Sequence, residues 1–199
     1  MSEELVESFS GRIMKGDILV EDINAQTELE KRGYGERDDK MFILKDYEAL
    51  YLLYNKKLDV RRGKKTLTFN ELVRYFLSKD NVIWTRFLFY RDLRSRGYVV
   101  KEGFGFGIDF RVYDRGEFGL KPAKYIIFAL NEGTETTVEE VSRSIAQMTN
   151  MGKEPIVAVI ERRGELIYYK ISKAKFESHI TPKSISTSDE SESVHSYQK

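Results

Sequence analysis

The chain is 199 residues long and carries 33 lysines and arginines against 32 aspartates and glutamates, a formal charge of +1. Near-neutrality excludes a global pull towards nucleic acid, so any such contact must come from local basic patches, and the absence of cysteine excludes a disulfide framework and thiolate metal sites. Hydrophobic residues make up 41%, enough for a sizeable core in one large domain or two small ones, while no run of about 18 apolar residues offers a membrane span and the acidic start MSEELVESFSGR lacks the apolar segment of a signal peptide. These features lead us to expect a cytoplasmic protein.

In chain order, residues 11–26 read as short strands, with Gly16-Asp-Ile-Leu-Val20 apolar and a turn at 22–24. A short helix is predicted over 27–32, ended by Gly33, then a turn over 33–35 and a charged loop over 36–40. Met41-Phe-Ile-Leu44 is strand-like. The helix predicted over 45–55 places Tyr47, Leu50, Tyr51 and Tyr54 on one face. Residues 58–60 are a short extended piece. Thr68 with Glu71 three residues on is a capping-box pattern that starts a helix over 69–78.

Beyond a boundary near 79–80, a helix over 85–96 is stopped by Gly97, the residue that best tolerates a left-handed cap. A strand over 98–101, a glycine-punctuated turn over 103–107 and a strand over 108–113 follow. Residues 124–130 (KYIIFAL) read as a buried strand, followed by an acidic turn over 131–135. Thr137 and Glu140 form a second capping box for a helix over 137–151, with Val138, Val141, Ile145 and Met148 as its apolar stripe. Pro155 cannot sit in that helix. IVAVI over 156–160 suits a central strand. A hairpin turn over 161–165 and a last strand, LIYYKI, over 166–171 close the pattern, and Phe176 ends the folded part. Residues 177–199 are Ser-rich and polar; such a segment cannot offset its ordering entropy and is expected to be disordered.

The run from Tyr90 to Gly116, YRDLRSRGYVVKEGFGFGIDFRVYDRG, resembles the catalytic-domain signature of the archaeal tRNA-splicing endonucleases. The combination of G-x-I/L-x-V at 16–20, R-G-Y-G at 32–35 and L-x-x-x-E-A-L-Y-L-L at 44–53 is similar to that family's small N-terminal domain. The resemblance spans residues 11–175. It implies an α+β protein: a small N-terminal α/β domain (1–79), a restriction-endonuclease-like C-terminal domain (80–176) with a mixed central sheet flanked by helices, and the tail (177–199).

The family's reaction is metal-independent cleavage of an RNA phosphodiester by its own 2′-hydroxyl, leaving a 2′,3′-cyclic phosphate and a 5′-hydroxyl. It needs a base, an acid and a cation for the developing phosphoryl charge; in the family these are a tyrosine, a histidine and a lysine. The resemblance assigns the tyrosine to Tyr113 and the lysine to Lys153, with no metal or other cofactor. The histidine has no counterpart: its positions hold Pro122 and Ala123, and His179 and His195, the only histidines, lie in the tail. The family's base-clamping arginine corresponds to Ala146. Arg111, Lys121, Lys124 and Arg143 are candidate RNA contacts, with solvated surface as the alternative for Arg143. Basic clusters at 61–65 and 91–96 are further phosphate candidates, solvated surface being their default and packing a second role for the latter.

Pairing of an active with an inactive chain in this family implies a catalytic paralogue as partner, an α2β2 heterotetramer, and precursor tRNA of the bulge-helix-bulge type as substrate. Glu161 and Glu165 then fall in a loop that plugs into the partner, although Arg162 and Arg163 dilute its charge. Tyr168 lies on the last strand, which is apolar on both faces and serves either a subunit interface or packing within its own domain. The expectation is a structural subunit of the tRNA-splicing endonuclease, without a membrane. The alternatives are a divergent active enzyme using Tyr113 and Lys153 with water or Lys121 as acid, and an RNA-binding module that has lost cleavage.

Overall fold

A computed structural model of the chain describes residues 8–105, 108–131, 137–172 and 174. The first half contains β1 (Phe9–Met14), β2 (Asp17–Val20), α1 (Ile23–Lys31), β3 (Glu36–Asp38), β4 (Met41–Leu44), α2 (Asp46–Tyr54), β5 (Leu58–Arg62), β6 (Lys65–Leu67) and α3 (Phe69–Leu77). Its strands form a six-stranded sheet in the order β3-β4-β2-β1-β5-β6, with β1 and β5 parallel and the other described pairs antiparallel. The second half contains α4 (Ile83–Ser95), β7 (Val99–Gly105), β8 (Ile108–Tyr113), β9 (Tyr125–Asn131), α5 (Val138–Asn150), β10 (Glu154–Ile160) and β11 (Leu166–Lys170). These strands form a five-stranded sheet, order β11-β10-β9-β8-β7, in which only the β9–β10 pair is parallel. The architecture is α+β with mixed sheets flanked by helices, as expected, and is consistent with a restriction-endonuclease-like fold.

Local chemistry explains where the helices start and stop. Thr68 Oγ1 accepts the Glu71 N–H at 3.3 Å while the Glu71 carboxylate accepts the Thr68 N–H at 2.9 Å. Thr137 and Glu140 make the same reciprocal pair at 3.2 and 3.0 Å. Each box satisfies donors that the first helical turn leaves open. Gly97 closes α4 at φ +87°, a left-handed position that costs glycine nothing.

Several expectations are corrected. The turn expected at 22–24 is the start of α1, because Asp22 Oδ1 accepts the Ala25 N–H at 2.8 Å and caps the helix. The loop expected over 36–40 holds β3, and β6 has no counterpart in the sequence reading; β3 is wholly charged and exposed, and β6 buries only Leu67, so neither shows an apolar alternation over its three residues. Residues 103–105, expected in a turn, belong to β7, which continues to Gly105 with an irregularity between Glu102 and Gly105, and residues 106–107 of that expected turn lie outside the described residues. Tyr54 is 52% exposed and Val138 86% exposed, so neither belongs to a buried stripe. Met148 provides the fully buried contact of α5, against Ile126 with Phe128 alongside. Residues 132–136, Phe176 and the tail lie outside the described residues.

One cluster of buried side chains extends from Ile18 and Leu50 through Phe87 and Tyr90 to Phe110 and Ala158. Its centre is aromatic: the Tyr47 ring lies 4.9 Å from Tyr90 and 5.3 Å, edge-on, from Phe110. These spacings are those of favourable aromatic pairs. Helix α2 is enclosed on most sides, and one of its wholly buried residues is charged. Glu48, 0% exposed, accepts the backbone N–H groups of Gly35 and Lys45 through Oε2, both at 3.0 Å. Its Oε1 lies 3.7 Å from Lys101 Nζ on β7, and that ammonium donates to the Gly35 carbonyl at 2.7 Å. Around this pair Lys45 bridges Glu36 at 3.7 Å and Glu102 at 2.6 Å.

Lys101→Met strands a buried carboxylate without its cation, and a loss of about 3 kcal/mol is expected in urea unfolding at neutral pH. Burial holds the Glu48 carboxyl above its ordinary 4.5, with Lys101 and the Lys45 and Gly35 N–H groups pulling the other way. The folded chain thus binds this proton more tightly than the unfolded one. The contribution is full below pH 4.5 and falls away as pH rises through the raised value. Wild type is therefore expected to lose stability relative to Glu48→Gln as pH rises from 4.5 towards neutrality, measured by parallel urea titrations.

Candidate active site

The register of the C-terminal sheet brings three separate segments to one end. Val112 pairs with Tyr125, and Tyr125 pairs with Glu154. The Lys124 N–H donates to the Val112 carbonyl at 3.0 Å, and the Glu154 N–H donates to the Lys124 carbonyl at 3.0 Å. Tyr113, Lys124 and Lys153, each one residue beyond these paired positions, thus share this end of β8, β9 and β10, where Tyr113 also pairs with Val99 of β7. Tyr113 is the last residue of β8, and its ring meets Phe118 edge-on at 5.0 Å. Lys153 is reached from α5 by the tight return at Gly152, φ +67°, with its N–H bonded to the Met148 carbonyl at 3.2 Å.

Four ionisable groups of the interval after Tyr113 are bound in pairs. Lys121 Nζ contacts Glu117 Oε1 at 2.6 Å. Lys124 Nζ contacts Asp114 Oδ2 at 3.2 Å and lies 5.0 Å from the centre of the Tyr125 ring. The Arg115 N–H and then Lys124 hold the Asp114 carboxyl below its usual range. Tyr125 and then Asp114 push the Lys124 ammonium well above its own. Asp114 has therefore given up its proton at neutral pH and Lys124 keeps its own more firmly than an ordinary lysine. Pro122 is exposed and Ala123 is buried, and neither has a proton to give. On the far side of Lys153, Glu154 is paired with Lys170 at 2.6 Å and lies below its normal range for that reason. Among the described residues no group of three or more histidine, aspartate or glutamate side chains is placed to hold a metal ion.

The other candidates are dispersed. Arg111 Nε donates to the Glu102 carbonyl across the β7–β8 pair at 2.8 Å, and its guanidinium lies 4.8 Å from the Phe104 ring. Arg143 is exposed on α5 and paired with Glu139 at 2.7 Å. Glu161 and Glu165 face each other across the last hairpin, the Glu161 N–H donating to the Glu165 carbonyl at 3.0 Å. The Tyr168 hydroxyl donates to Asp92 Oδ2 at 2.8 Å and its ring meets Phe89 at 6.1 Å, so Tyr168 is occupied by α4 of its own chain. Burial and that carboxylate keep the phenol protonated. Tyr169, on the opposite face of the same edge strand, is 50% exposed.

The arginines of the 91–96 cluster are largely engaged in packing. Arg94 donates to the Arg32 carbonyl with both terminal nitrogens at 3.1 Å and stacks on Tyr34 at 3.9 Å. Arg96 is paired with Asp92 at 2.8 Å, and Arg91 lies 5.8 Å from the Tyr54 ring. Sequence reasoning overlooked Glu48 and Asp92 as partners. A signal existed for the first: a carboxylate directly before the apolar run Ala49–Leu53 of an otherwise enclosed helix.

The comparisons with known proteins cover both sheets. A family model described as the tRNA intron endonuclease catalytic C-terminal domain matches residues 83–169. Another, the tRNA intron endonuclease N-terminal domain, matches residues 9–73. The tRNA-splicing endonuclease of Thermococcus gammatolerans is 32% identical over 146 residues, 73% of this chain and 86% of that relative. The one from Methanococcus maripaludis is 30% identical over 159 residues, 79% of this chain and 90% of that relative. The one from Pyrococcus furiosus is 31% identical over 145 residues, 73% and 84% respectively.

Arg94→Ala removes two charge-assisted hydrogen bonds from a buried site. A loss of about 3 kcal/mol is expected in denaturant unfolding, with RNA affinity of the folded fraction unchanged.

Proposed function

The chain belongs to the tRNA intron endonuclease family, the family of the archaeal tRNA-splicing endonucleases, and from that premise we propose that it is the non-catalytic subunit of an enzyme that removes introns from precursor tRNA. Cleavage by the neighbouring 2′-hydroxyl requires three things at one phosphate. A base takes the 2′-proton, a cation balances the extra phosphoryl charge, and an acid protonates the departing 5′-oxygen. Tyr113 and Lys153 match the first two roles by position in the family pattern. The third has no candidate in the interval 114–124, and this is the observation that carries the proposal. Asp114 is held ionised, Lys124 is held protonated, and Lys121 is bound to Glu117.

In this reading the fold comprises an N-terminal unit, 1–79, and a nuclease-like unit, 80–176, which presents precursor tRNA to a paralogue with the complete set of groups. The edge strand β11, with Tyr169 outward, joins that paralogue, and Glu161 and Glu165 contact it in an α2β2 assembly. Lys121 and Lys124 line the end of the sheet where RNA passes, and Arg111 and Arg143 contact it from the strand and the helix.

Purified chain incubated with an intron-containing precursor tRNA is expected to leave it uncut, and adding the paralogue is expected to produce cyclic-phosphate ends. Efficient cutting by the chain alone would sink the proposal. In the reconstituted complex, Lys153→Ala and Tyr113→Phe on this chain are expected to leave the cleavage rate unchanged. Removal of a working acid or base costs about 10²- to 10⁴-fold, so a loss of that size would identify this chain as the cutter.

A further inference from the structure

We propose that Lys15, Arg61, Arg62, Lys64 and Lys79 form a second RNA contact, a basic corner of the N-terminal sheet that grips the phosphate backbone of the substrate. This rests on the reading above that the substrate is RNA, and it adds a surface that the chemistry at Tyr113 does not use. β1 and β5 run parallel with Arg12 beside Arg61. The turn after β1, Lys15-Gly16, and the hairpin turn after β5, Gly63-Lys64, therefore emerge at the same end of the sheet. Lys79, just past α3, closes a third side. Its ammonium lies 4.7 Å from the centre of the Tyr75 ring, and the Arg62 guanidinium takes the same ring at 5.5 Å. A Cβ on Gly16 would come within 2.6 Å of Lys79 Nζ, so the lysine lies directly on the first turn.

Many of the described cations elsewhere are held by neighbours, and the corner brings unpaired ones together. Arg12 is bound to Glu21 and Lys65 to Glu71, but Arg61 and Lys64 are exposed and have no carboxylate partner among the described residues. Asp17, opposite Met14, is a carboxylate beside the first turn. Lys15 holds φ +51°, where glycine or asparagine is at home, and its exposed side chain extends from the turn. Such a residue in a left-handed turn position motivates a functional reading. The shared Tyr75 ring orders Arg62 and Lys79 in advance, so less side-chain freedom is lost when phosphate binds. Val60 faces the core and Arg61 faces out, while Arg62 turns back to Tyr75, so cations flank both faces of the hairpin. That spread suits an extended phosphate chain better than a single anion. None of the exposed large apolar side chains lies on either turn, whereas a protein partner would call for an apolar centre.

Equilibrium binding of labelled intron-containing precursor tRNA to the full chain, across a salt series, tests the corner. Arg61→Glu with Lys64→Glu is expected to weaken binding and to reduce the slope of log K against log salt by about two, roughly one per phosphate contact. The milder Arg61→Gln with Lys64→Gln is expected to reduce the slope likewise, which guards against a folding defect. Lys31→Glu with Lys40→Glu, the same charge change on α1 and between β3 and β4, is expected to leave the slope intact. An unchanged slope in both corner variants overturns the proposal. So does loss of paralogue association with RNA binding intact, which would make the corner a protein interface. A corner-dependent slope in a chain that supports no cleavage with its paralogue would uphold the corner while sinking the subunit reading.

Discussion

The carboxylate of Glu48, removed entirely from water, is the constraint on which the arrangement of the two sheets depends. A buried charge is tolerated only where its lone pairs and its countercharge are supplied by groups fixed in place. Here the suppliers come from three directions: the N-cap of α2, the turn at Gly35, and Lys101 on β7. Lys101 in turn lies opposite Arg111 on β8, the strand that ends in Tyr113. The position of the candidate site is thus linked through two strands to a carboxylate in the other half of the chain. The Arg94 guanidinium makes a second tie of the same kind, from α4 to the end of α1. Such polar ties contribute little net stability compared with an apolar replacement, but any other docking of the halves would leave them unpaired.

Much of the fold was legible because its signals are local. The two capping boxes, the stop at Gly97 and the bounds of β8 depend on residues within a few positions of one another, and the structure reproduces them. The family signature named the architecture for the same reason, since its motif is dense between Tyr90 and Tyr113. What the chain did not disclose is non-local or edge-exposed. β3 consists of Glu36, Arg37 and Asp38, none buried, and it is a strand only because β4 pairs with it. The partner of Tyr168 is 76 residues away, and only the fold brings Asp92 to it. Val138 misleads in the opposite sense: its spacing fits the stripe, but it sits in the first turn of α5, before the helix reaches the sheet.

At the candidate site, position and protonation came from different sources. That Tyr113 and Lys153 share one end of the sheet is a matter of register, and the β8–β9 and β9–β10 pairs supply it. That the lysines of the interval 114–124 are engaged is a matter of pairing. Read in sequence, its two lysines look like available cations or weak acids. Folded, each has a carboxylate at hydrogen-bond distance, Lys121 with Glu117 and Lys124 with Asp114. A proton donor for a leaving alkoxide should have a pKa near the operating pH. Mutual pairing moves Asp114 and Lys124 in opposite directions away from it.

A chain with almost equal numbers of acids and bases can still address a polyanion if its pairing is uneven. The described cations differ in how far they are engaged. Arg94, Arg96 and Lys101 are held by carbonyls, carboxylates or rings, and moving them to a phosphate would break contacts that the fold uses. Arg61 and Lys64, on a hairpin at the edge of the six-stranded sheet, lose no such contact when they bind. Attraction between a surface cation and a phosphate is modest in water and screened within about 8 Å at physiological salt, so an unpaired cation contributes more to it than one shared with a carboxylate. The electrostatic footprint of this protein is therefore set by where its pairing is incomplete. That criterion separates a basic motif that packs, such as the one on α4, from a basic motif left free to meet RNA, and composition alone does not distinguish them.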